Sequence, residues 1–162
     1  MRTPRRAARV AIFAPDGTVF LFRYDNEEVG VHWAMPGGGL DEGETLREGV
    51  RREVREETGW TDVEPGPLLC TWEHDYTRGG VPVRQHEHIF VAHGPRRDPV
   101  GDLVASHAED GILRWRWWTR HELAESGEAL WPPQLPDLVA AVLRTAPRDP
   151  TPVHLGYVPN KL

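Results

Sequence analysis

The hydrophobic and polar positions of this chain alternate in short runs separated by turn residues, with a few stretches of helical period between them. Arg9 to Phe13 and Val19 to Arg23 read as two strands on either side of the turn Pro15-Asp16-Gly17. Residues 1–8 are basic and read as a frayed end, and the polar run Tyr24 to Val31 reads as a loop. His32-Trp33-Ala34-Met35-Pro36 leads into a glycine-rich loop. Leu68 to Tyr76 and Val83 to His93 form a hairpin about Thr77-Arg78-Gly79-Gly80. Period-2 alternation puts Val83, Gln85, Glu87, Ile89 and Val91 on one face of the returning strand and His86, His88 and Phe90 on the other. His93 to Gly111 is rich in Gly, Pro, Asp and Arg and reads as a mobile lid. Ile112 to Trp118 follows as a strand with Trp115 and Trp117 on one face. A capping box, Thr119-Arg120-His121-Glu122, opens a short helix, and Leu135 to Arg144 reads as a last helix after Pro132-Pro133. The tail 145–162 carries four prolines and reads as extended chain, free to pack on a second copy of the chain. The organisation expected is one domain over 1–144 with a Pro-rich tail over 145–162.

The most patterned stretch is Thr45 to Gly59. Thr45-Leu46-Arg47-Glu48 is a capping box, in which hydroxyl and carboxylate each satisfy a backbone N–H of the other residue. The helix it opens ends at Gly59, as C-terminal glycines do. At roughly 100° per residue, Leu46, Val50 and Val54 make a narrow apolar stripe. Arg47, Arg51 and Arg55 make a second, solvated stripe, while Glu53 and Glu56 share a third face with Glu57 at its edge. Gly49 projects between Glu53 and Glu56, where a glycine costs about 1 kcal/mol against alanine. The expectation is that it leaves the carboxylate face unobstructed.

Carboxylates converging on one helix face repel one another. A cation would neutralise them, and all-oxygen ligation favours Mg²⁺, with Mn²⁺ as the alternative. The competing reading is a solvated acidic helix knit by Glu48–Arg52 and Arg52–Glu56 pairs. The glycine loop Met35 to Gly43 lets backbone approach a ligand closely and offers N–H groups to an anion at the helix entrance. Gly38 and Gly39 are therefore candidate substrate contacts.

The full spacing is Gly38, five residues, Glu44, seven residues, then Arg52-Glu53-Val54-x-Glu56-Glu57-x-Gly59-Trp60. It resembles the signature of the Nudix hydrolases (MutT-like) at every charged and glycine position, with Trp60 where an aliphatic residue is usual. The resemblance implies an α+β fold, an α/β/α sandwich about a mixed β-sheet. It also implies hydrolysis of nucleoside diphosphates linked to another moiety by metal-assisted attack of water. In that reading Glu53, Glu56 and Glu57 hold Mg²⁺, with the Gly37 carbonyl as a further ligand. Arg52 orients the carboxylates, and Glu44 anchors Arg52. The general base is Glu53 or a loop acid such as Glu109.

Substrate signals are thinner. Tyr76 stands where the resemblance suggests a marker of dinucleoside polyphosphate hydrolases, though a strand-edge aromatic reads equally well there. Nucleotide sugars and nucleoside or deoxynucleoside triphosphates stay open as substrates. Trp33 is a stacking candidate for a base or sugar, with a place at the core edge as its ordinary alternative. His86-Glu87-His88 lacks the further spaced ligands of a zinc site. A formal charge of −6 argues against nonspecific attraction to nucleic acid, so the expected partner is a small nucleotide. Cys70 is the single cysteine and reads as a packing residue, which allows a cytoplasmic setting. No apolar run approaches membrane-spanning length, and no signal peptide is evident. The alternative function is a non-catalytic metabolite sensor of the same fold. An allylic diphosphate isomerase ranks last, because it would need a cysteine before the glycine loop.

Overall fold

The computed structural model describes residues 1–160 and has the element order of an α+β protein. Strands β1 (Thr3–Phe13) and β2 (Val19–Asn26) diverge from the Asp16-Gly17 turn. They are followed by β3 (Gly30–Ala34), β4 (Gly37–Gly39) and helix α1 (Leu46–Thr58). Strands β5 (Leu68–Arg78) and β6 (Val81–His93) form the expected hairpin, closed by Gly79-Gly80. Helix α2 (Val104–Asp110), β7 (Ile112–Trp118), α3 (Arg120–Ala124), β8 (Ala129–Trp131), α4 (Leu135–Thr145) and β9 (Val153–Tyr157) complete the described chain.

The strands join in one mixed sheet of order β8-β3-β2-β1-β6-β5-β9, with β4 paired to β1 and β7 to β2. The β1–β6, β3–β8 and β5–β9 pairs are parallel and the rest antiparallel. Each face buries its own core. Val50 and Val54 of α1 pack with Val10, Ile12, Phe20, Phe22 and Trp60 on one side. Leu135, Leu138, Val139 and Val142 of α4, with Leu123 of α3, pack on Phe13, Leu21, Cys70, Ile89 and Trp118 on the other. The apolar stripe read from the sequence thus faces the sheet. Cys70 is fully buried, and burial pushes its thiol up to about 12, in keeping with a packing role.

Three sequence expectations are corrected. The basic start is not frayed: β1 begins at Thr3 because β6 runs beside it in parallel register along its whole length. Tyr24 to Val31 is not a loop, since Tyr24 to Asn26 extend β2 and pair with β3. His93 to Gly111 contains α2, which short length, an uncapped N-terminus and the absence of buried residues hide from pattern reading. The tail is extended, as read, and its residues 153–157 pair with β5 of their own chain as a parallel edge strand. The last two residues of the expected tail, 161 and 162, lie outside the described residues.

A buried ion pair ties β1 to β6. Arg9 Nε donates to both carboxylate oxygens of Glu87 at 2.9 Å, and Glu87 Oε2 lies 2.9 Å from His74 Nε2 on β5. Burial opposes the Glu87 charge, but Arg9 and the His74 hydrogen bond outweigh it and hold the carboxyl well below the usual carboxylate range. The sequence separation of Glu87 from its flanking histidines is borne out: it faces inward and they do not.

Replacing Glu87 with Gln leaves Arg9 charged and buried, so unfolding free energy should fall by about 3–5 kcal/mol. The Arg9→Met/Glu87→Met pair, which leaves neither charge, should recover much of that loss in the same denaturant titration. Because the folded pKa is depressed, the wild-type contribution is complete above the unfolded glutamate value of about 4.3 and is lost as pH falls through the folded value. A Glu87→Gln loss below about 1 kcal/mol would show that the pair carries little of the fold.

Candidate active site

Helix α1 forms where the sequence says. Thr45 Oγ1 accepts from the Glu48 N–H at 3.2 Å, the Glu48 carboxylate accepts from the Thr45 N–H at 3.0 Å, and Gly59 closes the helix in the left-handed region at φ 78°. The apolar stripe seats the helix on the sheet, and this fixes where its carboxylates point. Glu53 and Glu57, one turn apart, face the glycine strand β4; Glu56 turns outward and its side chain is 51% exposed.

The acidic group that the structure assembles is Glu53, Glu57 and Asp110, whose nearest oxygens all lie within 4.8 Å of one another. It differs from the expected trio in one member. Asp110 is the last residue of α2 and Glu56 is absent from the group. The neighbouring Glu109 is exposed and lines the same cavity. Two hydrogen bonds dock α2 against the end of α1: Ser106 Oγ to the Glu56 carbonyl at 3.1 Å, and His107 Nε2 to the Glu57 carbonyl at 2.7 Å. The backbone N–H of Val100 also donates to the Thr58 carbonyl at 2.8 Å, so this segment is anchored to α1. A signal for Asp110 did exist, an acidic pair ahead of the turn glycine Gly111, but one-residue register cannot be read without the helix.

Burial and mutual repulsion dominate the electrostatics. Glu57 is fully buried, and burial together with Glu53 and Asp110 pushes its carboxyl well above the ordinary range. It accepts from the Gly37 N–H at 3.0 Å and, through its other oxygen, from Tyr24 at 3.5 Å. Glu53 is raised by burial against the opposing pull of Arg52. Asp110 is exposed as a residue, yet its carboxyl is drawn into the cluster, where burial and Glu109 raise it. All three would be relieved by one positive charge. An all-oxygen donor set of this size fits a hard divalent cation.

Arg52 holds the carboxylates from the side. Its Nε and Nη2 donate to the two oxygens of Glu44 at 2.7 and 2.9 Å, the bidentate geometry that fixes a guanidinium. Nη2 also donates to the Gly39 carbonyl at 2.9 Å, and Nη1 reaches Glu53 at 3.0 Å and Glu56 at 3.3 Å. The Glu44–Arg52 contact expected from the sequence is present. The Glu48–Arg52 pair is not among the contacts, because Glu48 is committed to the cap. Arg51 instead forms an exposed pair with Glu64.

A side chain on Gly37 would meet the Ala8 carbonyl at 2.3 Å, and its φ of 143° is itself unfavourable to L residues. One on Gly38 would meet the Glu53 carboxylate at 3.0 Å, and one on Gly39 the Arg5 guanidinium at 2.1 Å. Gly49 has a different reason from the one expected. A β-carbon there would meet Leu40 at 2.5 Å and Glu44 at 3.2 Å, so the glycine makes room for the loop that carries Glu44.

A cavity of about 260 Å³ opens beside this cluster, lined among others by Arg5, Gly37 to Gly39, His32, His74, Tyr76 and Trp131. Tyr76 lies in its wall, and the Tyr76 hydroxyl donates to Gln85 Oε1 at 2.8 Å. Trp33 is not available for stacking on a substrate. Its ring is 1% exposed, edge-on to Trp118 at 5.0 Å, and its N–H is given to Glu128 at 3.2 Å. The tryptophan that does reach the cavity is Trp131, stacked on His32 at 4.0 Å. Sequence reasoning missed it because β8 is three residues long and has no periodicity to read.

Comparison with known proteins supplies the family. The NUDIX domain family model matches residues 3–140. An RNA pyrophosphohydrolase from Novosphingobium aromaticivorans is 42% identical over 147 residues, covering 90% of this chain and 88% of that one. One from Caulobacter vibrioides is 49% identical over 55 residues, a match that spans 34% of this chain and only 32% of the relative. In fold, the MutT protein of Methanosarcina mazei superposes with a TM-score of 0.65 at 19% identity, covering 91% of this chain and 98% of that one. With acidic helix, glycine strand and sheet all in place, the chain belongs to the Nudix hydrolase family.

Proposed function

We propose that this protein is a cytoplasmic, Mg²⁺-dependent pyrophosphohydrolase of small nucleotides that consist of a nucleoside diphosphate linked to a further group. The observation that carries the reading is the trio of carboxyl oxygens within 4.8 Å at the wall of a cavity that also holds arginines. Glu53, Glu57 and Asp110 would hold the cation, with the Gly37 carbonyl and Glu56 as further oxygen donors at its edge. A bound divalent cation supplies neutralisation of phosphate charge and a more acidic water. Arg52, clamped by Glu44, keeps Glu53 and Glu56 in place. Gly38 and Gly39 let the phosphate chain approach the backbone. The water oxygen forms a bond to phosphorus as the bridging P–O bond breaks, and the leaving phosphate takes the electron pair. The water proton passes to a carboxylate, for which Glu53 and Glu109 are the candidates.

Dinucleoside polyphosphates, nucleotide sugars and nucleoside triphosphates fit this chemistry. The relatives called RNA pyrophosphohydrolases add RNA to the panel. Purified protein with Mg²⁺ should release phosphate-bearing products from at least one of these or from ADP-ribose. Tight binding without turnover of any, at neutral and alkaline pH, would instead identify a sensor.

Glu57→Gln and Asp110→Asn should each abolish turnover in saturating Mg²⁺, since an amide cannot supply the anionic oxygen the cation prefers. Glu57→Gln should also raise the melting temperature without metal, because it removes a buried charge that its neighbours repel. Near wild-type turnover in either variant would remove that residue from the ligand set.

Arg52→Gln should lower turnover by about tenfold or more at saturating Mg²⁺, because small displacements of catalytic groups are expensive. Arg51→Gln is the matched control: it loses only an exposed pair and should leave both melting and turnover nearly unchanged. Equal, small effects at both positions would reduce Arg52 to a surface ion pair.

A further inference from the structure

The arginines near the acidic cluster and its cavity differ in how their charge is met. Arg9 is paired with Glu87, and Arg52 with Glu44 and Glu53. Arg5, half-buried on β1, is bound differently. Its Nη1 donates to two neutral acceptors, the Tyr76 hydroxyl and Gln85 Oε1, and among the described residues it has no carboxylate partner. The Tyr76–Gln85 hydrogen bond at 2.8 Å fixes these acceptors relative to each other, so the guanidinium is held in position without being neutralised. Its Nη2 and Nε have no acceptor among the described residues. These two atoms are also the ones that a β-carbon on Gly39 would strike, at 2.1 and 2.6 Å. The bare backbone of Gly39 therefore accommodates Arg5 as that of Gly38 accommodates Glu53.

Strand β4 thus has a carboxylate of the acidic cluster on one side and an uncompensated guanidinium on the other, and both line one cavity. Arg78, at the end of β5, lines it too and has no ion-pair partner among the described residues. A positioned arginine with free donors in a partly enclosed site is suited to a phosphate group.

We propose that Arg5, held by Tyr76 and Gln85, forms a phosphate subsite separate from the acidic cluster, and that it selects substrates with at least one phosphate beyond the pyrophosphate pair being cleaved. This rests on the pyrophosphohydrolase reading above. Because Arg5 and the acidic cluster flank β4 in one cavity, each phosphate beyond the pair held at the cluster extends the substrate toward Arg5. A substrate with two, such as ADP-ribose or a nucleotide sugar, leaves Arg5 without an anion.

Calorimetric titration with inorganic tripolyphosphate and with pyrophosphate, each in Mg²⁺, tests the subsite without turnover. The wild-type chain should bind tripolyphosphate about tenfold or more tightly than pyrophosphate, the increment expected of a charge-assisted contact. Arg5→Gln should erase the difference, and Arg5→Lys should retain part of it. In turnover, Arg5→Gln should lower kcat/KM for diadenosine tetraphosphate about tenfold, through KM, and leave ADP-ribose within about twofold. Equal losses on the two substrates, or none on either, would overturn the assignment. If the wild-type chain turns over neither, the tripolyphosphate titration still decides the subsite, and the catalytic reading is decided separately by the wider substrate panel. Should Arg5→Gln fail to fold, the wild-type chain decides alone: no preference for tripolyphosphate over pyrophosphate rejects the proposal.

Discussion

Like-charge repulsion among Glu53, Glu57 and Asp110 is the constraint around which the rest of the molecule is arranged. Three carboxyls within 4.8 Å, one of them fully buried, are unstable as anions unless something compensates them. The chain answers only in part. Arg52 is placed against Glu53, one backbone N–H is aimed at Glu57, and Arg9 contributes from behind the glycine strand. That incomplete compensation leaves room for a cation. It also explains why Arg9 and Arg52 have strong partners of their own: a free guanidinium at either place would close on the carboxylates and neutralise the site from within.

The helix and its surroundings illustrate what one sequence can disclose. The cap at Thr45, the stop at Gly59 and the seating of Val50 and Val54 were all legible, because they depend on residues within a few positions of one another. The Glu44–Arg52 contact was legible from the family resemblance, not from helical spacing. Asp110 was not, since it enters the cluster through the docking of α2, and that docking depends on carbonyls at the end of α1 rather than on any stripe of apolar residues. Trp33 had two readings in the sequence, and tertiary packing against Trp118 decided for the core. Gly49 stands out in the sequence, but its reason lies in Leu40 and Glu44, which a projection of the helix alone does not contain.

The same division runs through the sheet. Alternation identified the inward face of β6, including Glu87. It did not reveal the parallel partnership of β1 with β6, because pairing between distant strands leaves no periodic trace in either. That partnership is what brings Arg5 and Arg9 beside Gln85 and Glu87, so the polar lining of the cavity is a product of topology as much as of motif.

The two ends of the sheet have a consequence for how the molecule meets others of its kind. One end is β8, three residues long and followed by Pro132 and Pro133. The other is β9, five residues long, with Pro152 before it, Pro159 soon after it and a left-handed glycine, Gly156, within it. Short strands bounded by residues that lack an N–H, or that bend the backbone, make poor templates for an incoming strand. The longer β5 and β6, whose open backbone would invite such addition, are enclosed between neighbours. These two ends are thereby guarded against growing edge to edge into a fibre, and the segment outside the matched family region is part of that guard.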